Sequence, residues 1–217
     1  MIAYVLMFVL CFISACGSPQ YSDFFPYHND GTPKPSVALL PVFDKTKTVA
    51  MNNVSQDLSQ KIRLELMHHS KLYIPTAAQL KQQQLSCSQD DLLNSKDLMP
   101  FLHFQPEHFV VVLELVEFEQ KPYKKNAVNL IYPPHVRRDE ASMLSMKMRL
   151  KIVDIRGQEP KLIRQEIIPT NYVLATGEFE DSLEKEGTDA FQITPVGKGI
   201  QRFVQNVVEK IEKNSCF

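Results

Sequence analysis

Ser36-Val37-Ala38-Leu39-Leu40-Pro41-Val42-Phe43 is a short apolar run without a charged side chain, and its reading decides the fold. Too short for a helix and not alternating, it suits a strand buried on both faces, as strands in α/β proteins are. Pro41 has no N–H for a ladder, so the strand stops or bulges there. Asp44-Lys45-Thr46-Lys47-Thr48 follows as a polar loop at the strand's carboxyl end. Beyond it Val54, Leu58, Ile62 and Leu66 recur every four residues, with Leu64 and Met67 widening the stripe. That spacing predicts a helix with one apolar face, capped by Asn53 or Ser55.

Further along, Leu72-Tyr73-Ile74 reads as a second short strand stopped by Pro75. Thr76 is placed to cap a helix through Leu80 and Leu85, and Ser88 another through Leu92, Leu93 and Leu98. Phe109-Val110-Val111-Val112-Leu113, continuing to Phe118, predicts a central strand. Leu144, Met146, Met148, Leu150 and Ile152 alternate with Ser145, Lys147, Arg149 and Lys151, which predicts a strand with one wet face. Asp154-Ile155-Arg156-Gly157-Gln158 is its turn, and Leu162 to Ile168 its hairpin partner. Thr194-Pro195 opens the last helix, whose apolar face is Ile200, Phe203, Val204, Val207, Val208 and Ile211. Residues 121–142 and 171–192 carry no such period and read as irregular. The order is β-α-β-α(α)-β-β-β-α: an α/β fold, one two-layer sandwich with a mixed sheet of about five strands, helices packed on it and a long C-terminal helix.

Working back from Ser36, residues 16–35 are rich in Ser, Pro, Tyr and Asn and read as a tether. Before them residues 1–15 carry no charged side chain and end in Ile13-Ser14-Ala15-Cys16. As a helix they would span about 22 Å at ~1.5 Å per residue, short of a bilayer core. They match the apolar region of a signal peptide, and Ile13, Ser14 and Ala15 before Cys16 match a lipobox. Cys16 is then the lipidation site and the new amino terminus. No Lys or Arg precedes the apolar run, so an ordinary cleaved signal peptide and an uncleaved anchor stay open beside this reading. Gly17 after the cysteine favours the outer membrane under the sorting rule of enteric bacteria. The expected organisation is a signal peptide at 1–15, a lipidated tether at 16–35 and one domain at 36–217.

The 217 residues carry a net charge of −1, which argues against a nucleic-acid partner. Only seven glycines are present and Trp is absent, unlike proteins built on glycine-rich phosphate loops. Of four cysteines, Cys87 and Cys216 remain after processing and are a candidate disulfide; two separate thiols are the alternative.

No catalytic constellation emerges, and no cofactor or metal site is expected. Gly197-Lys198-Gly199 near a helix start lacks the spacing of a phosphate loop. His68 and His69 are adjacent on a helix and point about 100° apart, which disfavours a shared metal. His28, His103, His108 and His135 are scattered. Glu117 and Glu119 share a strand face near Glu114, the position of solvated charges rather than of opposed catalytic carboxylates. Asp44 ends a strand, where functional groups gather in α/β proteins, but the same position suits a turn cap. Lys121-Pro122-Tyr123-Lys124-Lys125, with Tyr132-Pro133-Pro134 and Arg137-Arg138, is a basic aromatic loop fit for anionic headgroups, for an acidic partner or simply for solvent.

The stretch from Ser36 to Thr46 resembles the first strand and loop of envelope proteins related to the curli-secretion lipoprotein, the penicillin-binding-protein activator lipoprotein and the amino-terminal domain of the Tol-Pal translocation protein. Residues 109–118 and 147–157 resemble their later strands, and the whole chain is similar to lipoproteins of the chlamydial type. The resemblance implies an architecture and an envelope location, with no catalytic residue. The function expected is a membrane-anchored bacterial lipoprotein that binds or scaffolds an envelope protein without catalysis. An enzyme acting on envelope glycan or lipid, or a subunit of an oligomeric secretion assembly, is the alternative.

Overall fold

A computed structural model describes residues 26–46, 53–69, 71–76, 89–94, 96–134, 136, 141–186 and 188–215. The lipobox, Cys87, Cys216 and the helix expected after Thr76 lie outside the described residues. The elements are β1 (Val37–Leu39), β2 (Phe43–Asp44), α1 (Val54–His69), α2 (Gln89–Asn94), β3 (Phe109–Pro122), β4 (Leu130–Ile131), β5 (Ala141–Asp154), β6 (Lys161–Ala175), α3 (Glu178–Leu183) and α4 (Pro195–Ser215). Short 3₁₀ helices lie at Met99–Phe104 and Asp189–Ile193.

The fold is α/β, with one mixed six-stranded sheet in the order β1-β3-β5-β6-β4, β2 sitting beside β1 on β3. β1 and β2 run parallel to β3, whereas β5 is antiparallel to both β3 and β6. The opening apolar run divides as its proline requires: ladder pairing ends at Leu39 and resumes at Phe43. β1 is capped on its outer side by a single bridge from Tyr73 to Ser36 and by Arg63, which donates to the Leu39 carbonyl at 3.3 Å. The strand expected at 72–74 is reduced to that bridge, with Leu72 and Ile74 buried.

α1 and α4 cover one face of the sheet. Val54, Leu58, Ile62 and Leu66 from α1 meet Ile200, Phe203, Val207 and Ile211 from α4 over Val111, Leu113, Met146, Met148 and Leu150. Each fully buried side chain of this size contributes about 1.5–3 kcal/mol. A second, smaller core lies on the opposite face at one end. There Leu92 and Leu93 of α2 and Phe101 and Phe104 cover Ala38, Leu40, Val110, Val112 and Val153. β1 and the start of β3 are therefore buried on both sides, which is why their sequences run apolar without alternating.

Several expectations need correction. The helix expected through Leu98 ends at Asn94, and Leu98 instead leads into the 3₁₀ helix with Pro100 in its first turn. The stretch 171–192 is not irregular: β6 runs on to Ala175, and α3 and a 3₁₀ helix follow. Within 121–142, β3 and β5 claim the ends and β4 the middle. The outer face of β5 is not uniformly wet, because Ser145 and Lys151 are buried.

Candidate interaction surface

The outer face of the sheet, between the small core at one end and the buried Met143 and Val173 at the other, carries a ladder of charges. Its geometry depends on one residue. The register of β3 on β5 shifts between Leu115 and Glu117, so Val116 is an extra residue in a bulge. Without it, Glu114 and Glu117 would point to opposite faces, being three apart. With it, Leu115 and Phe118 both stay in the main core, and Glu114, Glu117, Glu119 and Lys121 all lie outside opposite Arg149, Lys147, Ser145 and Met143.

Glu114 is almost fully buried, with Lys45 Nζ 3.2 Å from one oxygen and Arg149 Nη1 3.1 Å from the other. Neither contact is aligned as a hydrogen bond, so the carboxylate is held by charge. Glu117 accepts from Lys147 at 2.7 Å, from Ser145 and from Lys121 at 2.9 Å. Burial alone would raise its pKa, but these donors outweigh that and hold it at about 2. Lys121 also reaches Glu119 at 2.9 Å, and its ammonium is pushed above its ordinary value by hydrogen bonds to Glu119 and Glu117. Lys151 donates to the Leu92 carbonyl at 2.8 Å with its ammonium 5.0 Å from the Phe101 ring centre. Burial lowers its pKa.

Next to the ladder, three apolar side chains are left in water: Val116 at 36%, Leu162 at 47% and Ile167 at 55% exposure. An open hollow of about 510 Å³, lined by Leu98, Arg149 and Gln165 among others, includes Leu162 in its wall. Val116 belongs to β3, and Leu162 and Ile167 to β6, with Lys147 and Arg149 of β5 lying between the two strands.

The other sequence candidates are committed elsewhere. Asp44 Oδ1 accepts from the Thr46 backbone and hydroxyl, both at 2.8 Å, and so caps a turn. The glycines of the Gly197-Lys198-Gly199 stretch are there for packing. A Cβ on Gly197 would lie 2.1 Å from the Phe191 carbonyl oxygen, and one on Gly199 would lie 3.1 Å from the Tyr172 ring. The Gly197 amide already donates to the Thr194 hydroxyl at 3.1 Å. His68 is exposed on α1, and His108 accepts through Nδ1 from the Ser36 amide at 3.1 Å. Among the described residues no group of three or more His, Cys, Asp or Glu could hold a metal ion.

The basic loop is pinned to β6: Asn129 donates to the Pro169 carbonyl and Asn171 to that of Val128. Tyr123 and Tyr132 meet edge to face at 6.0 Å, while Lys124 and Lys125 are exposed. His135, Arg137 and Arg138 lie outside the described residues. The sequence reading missed the burial of Glu114 and the role of Val116. The signal was present, because Glu114 and Glu117 are three apart across Leu115 and Val116, whereas Glu117 and Glu119 are two apart.

The fold has a counterpart among solved structures. The hypothetical protein CT253 from Chlamydia trachomatis shares the fold, with a TM-score of 0.59 and 21% identity over 84% of this chain and 98% of that one. Lipoprotein GNA1162 from Neisseria meningitidis is similar at a TM-score of 0.43 and 13% identity, covering 82% of this chain and 98% of its own. The LpoB C-terminal domain from Salmonella enterica is similar at 0.37 and 13%, covering 75% and 91%. No curated protein matches the sequence. A family model matches residues 23–216, and the chain accordingly belongs to DUF7499, a family of unknown function.

Proposed function

We propose that this protein is a lipid-anchored bacterial envelope lipoprotein that binds or scaffolds another envelope protein without catalysing a reaction. In this reading residues 1–15 are a signal peptide, Cys16 carries the lipid, residues 16–35 are the tether and residues 36–217 the binding domain. The location that goes with it is the periplasmic face of the outer membrane. The Ile13-Ser14-Ala15-Cys16 motif supports the anchor. Among the described residues, no helix is long and apolar enough to cross a membrane.

The observation that carries the binding role is the outer face of the sheet, which no element among the described residues covers between its two ends. Its bulge keeps Glu114 and Glu117 opposite Arg149 and Lys147 beside the exposed Val116. A rigid sheet preorganises such a surface, so little ordering opposes association.

A photo-crosslinking residue at position 116, introduced in cells, tests it. The expected result is one discrete adduct with an envelope protein, at least tenfold weaker when Lys147 and Arg149 are both changed to Glu. No adduct at position 116, with the protein folded and at normal abundance, contradicts the proposal.

A further inference from the structure

The break between β1 and β2 leaves a hollow against α1. Ladder pairing pauses after Leu39 and resumes at Phe43. In between, the Val42 amide donates to the Ser59 hydroxyl at 2.7 Å, which itself donates to the Ser55 carbonyl at 2.7 Å. These bonds fix the break to the helix. Beside them an open hollow of about 420 Å³ has the stretch from Leu39 to Val42 as one wall and Ser55, Gln56, Ser59, Gln60 and Arg63 of α1 as the other. Small-molecule sites occupy about 300–1,000 Å³. β1 and β3 are parallel with α1 between them in the chain, so the hollow lies at the carboxyl end of a strand, the place where open α/β sheets bind ligands.

Arg63 gives this hollow its charge. Arg149, Arg156 and Arg164 each hold a carboxylate, at 3.1 Å, 2.6 Å and 2.6 Å. Arg63 instead donates to two neutral carbonyls, through Nη1 to Pro75 at 2.5 Å and through Nη2 to Leu39 at 3.3 Å. Among the described residues no carboxylate lines the hollow. Burial pushes the guanidinium's pKa down, with no acid to oppose the shift. The two carbonyls orient the fork and leave it further N–H donors, which match the paired oxygens of a carboxylate or a phosphate. We propose that the hollow binds a small organic anion, its oxyanion held by Arg63 and its remainder between Pro41 and the polar wall of α1. The Ser55 hydroxyl and the exposed carboxamides of Gln56 and Gln60 share that wall and can both donate and accept hydrogen bonds.

The full chain in neutral detergent, titrated with butyrate and separately with inorganic phosphate at constant ionic strength, tests this by the backbone amide resonances. Signals from residues 39–42 and 55–63 are expected to shift and saturate with at least one of the two anions. Butyrate binding the tighter marks a carboxylate ligand, and phosphate binding the tighter a phosphate ester. Arg63→Met is expected to abolish saturation. Because Arg63 also ties Leu39 to Pro75, Gln60→Glu provides a variant at an exposed position that leaves those bonds intact. It is expected to weaken binding at least tenfold, whereas Gln205→Glu, on the exposed side of α4, leaves it unchanged. Shifts that never saturate with either anion, the same saturation with chloride, or equal binding by wild type and Gln60→Glu overturns the proposal. The hollow lies beside α1, across the sheet from Val116, so the result is independent of the envelope partner and of the lipid anchor.

Discussion

Glu117 shows how one side chain couples the ladder to pH. Its folded pKa of about 2 lies below the ordinary carboxylate value of about 4.3. The stabilisation it provides is therefore complete above the unfolded value and is lost as pH falls from about 4.5 towards 2. The melting temperature of wild type should exceed that of Glu117→Gln at pH 7, and the difference should vanish near pH 2. A difference independent of pH would show that the carboxylate charge is not what matters. Glu114 matters through its burial, since its carboxylate is almost wholly buried between Lys45 and Arg149. Glu114→Ala leaves Lys45 and Arg149 facing each other without their anion, at an expected loss of about 1–3 kcal/mol in urea denaturation. Adding Arg149→Met should recover part of that loss, since half-exposed Lys45 can then turn to water. The glutamates read as solvated charges in the sequence because alternation alone cannot show what lies across the strand. Burial came from Lys45, Arg149 and Lys147, on other strands or loops.

The helices were legible because their apolar spacing is long and regular. α1 begins at Val54 and α4 at Pro195, as their stripes and the Thr194-Pro195 start imply. Shorter elements were not, because tertiary contacts decide them. α2 has six residues and holds its place through Leu92 and Leu93, and the long register of β6 past Pro169 depends on β5 beside it. At this scale the start of α4 is the most sensitive point. The Thr194 hydroxyl donates to the Phe191 carbonyl and accepts from the Gly197 amide, so it ties the 3₁₀ helix to α4. Thr194→Ala is expected to cost about 1 kcal/mol, as loss of a helix cap does. Gly197→Ala should cost more, about 1–3 kcal/mol, because its methyl group meets backbone that cannot move aside. Gly199→Ala meets a tyrosine ring, which can shift, and should be milder. Equal losses at 197 and 199 by chemical denaturation would contradict this packing argument.

For the whole molecule, the α/β architecture with its C-terminal helix could be read from the period of the apolar residues, down to the doubly buried strand at Val37. The interaction surface could not. It depends on a bulge that changes the face of Glu117 relative to Glu114, which is a property of pairing. The mode of action proposed, a rigid sheet presenting charge and exposed apolar side chains from a tether, rests above all on the anchor at Cys16. Metabolic labelling with a fatty-acid probe tests that anchor directly. Wild type should incorporate the probe and partition with membranes, and Cys16→Ala should do neither; equal labelling of the two proteins would contradict the account.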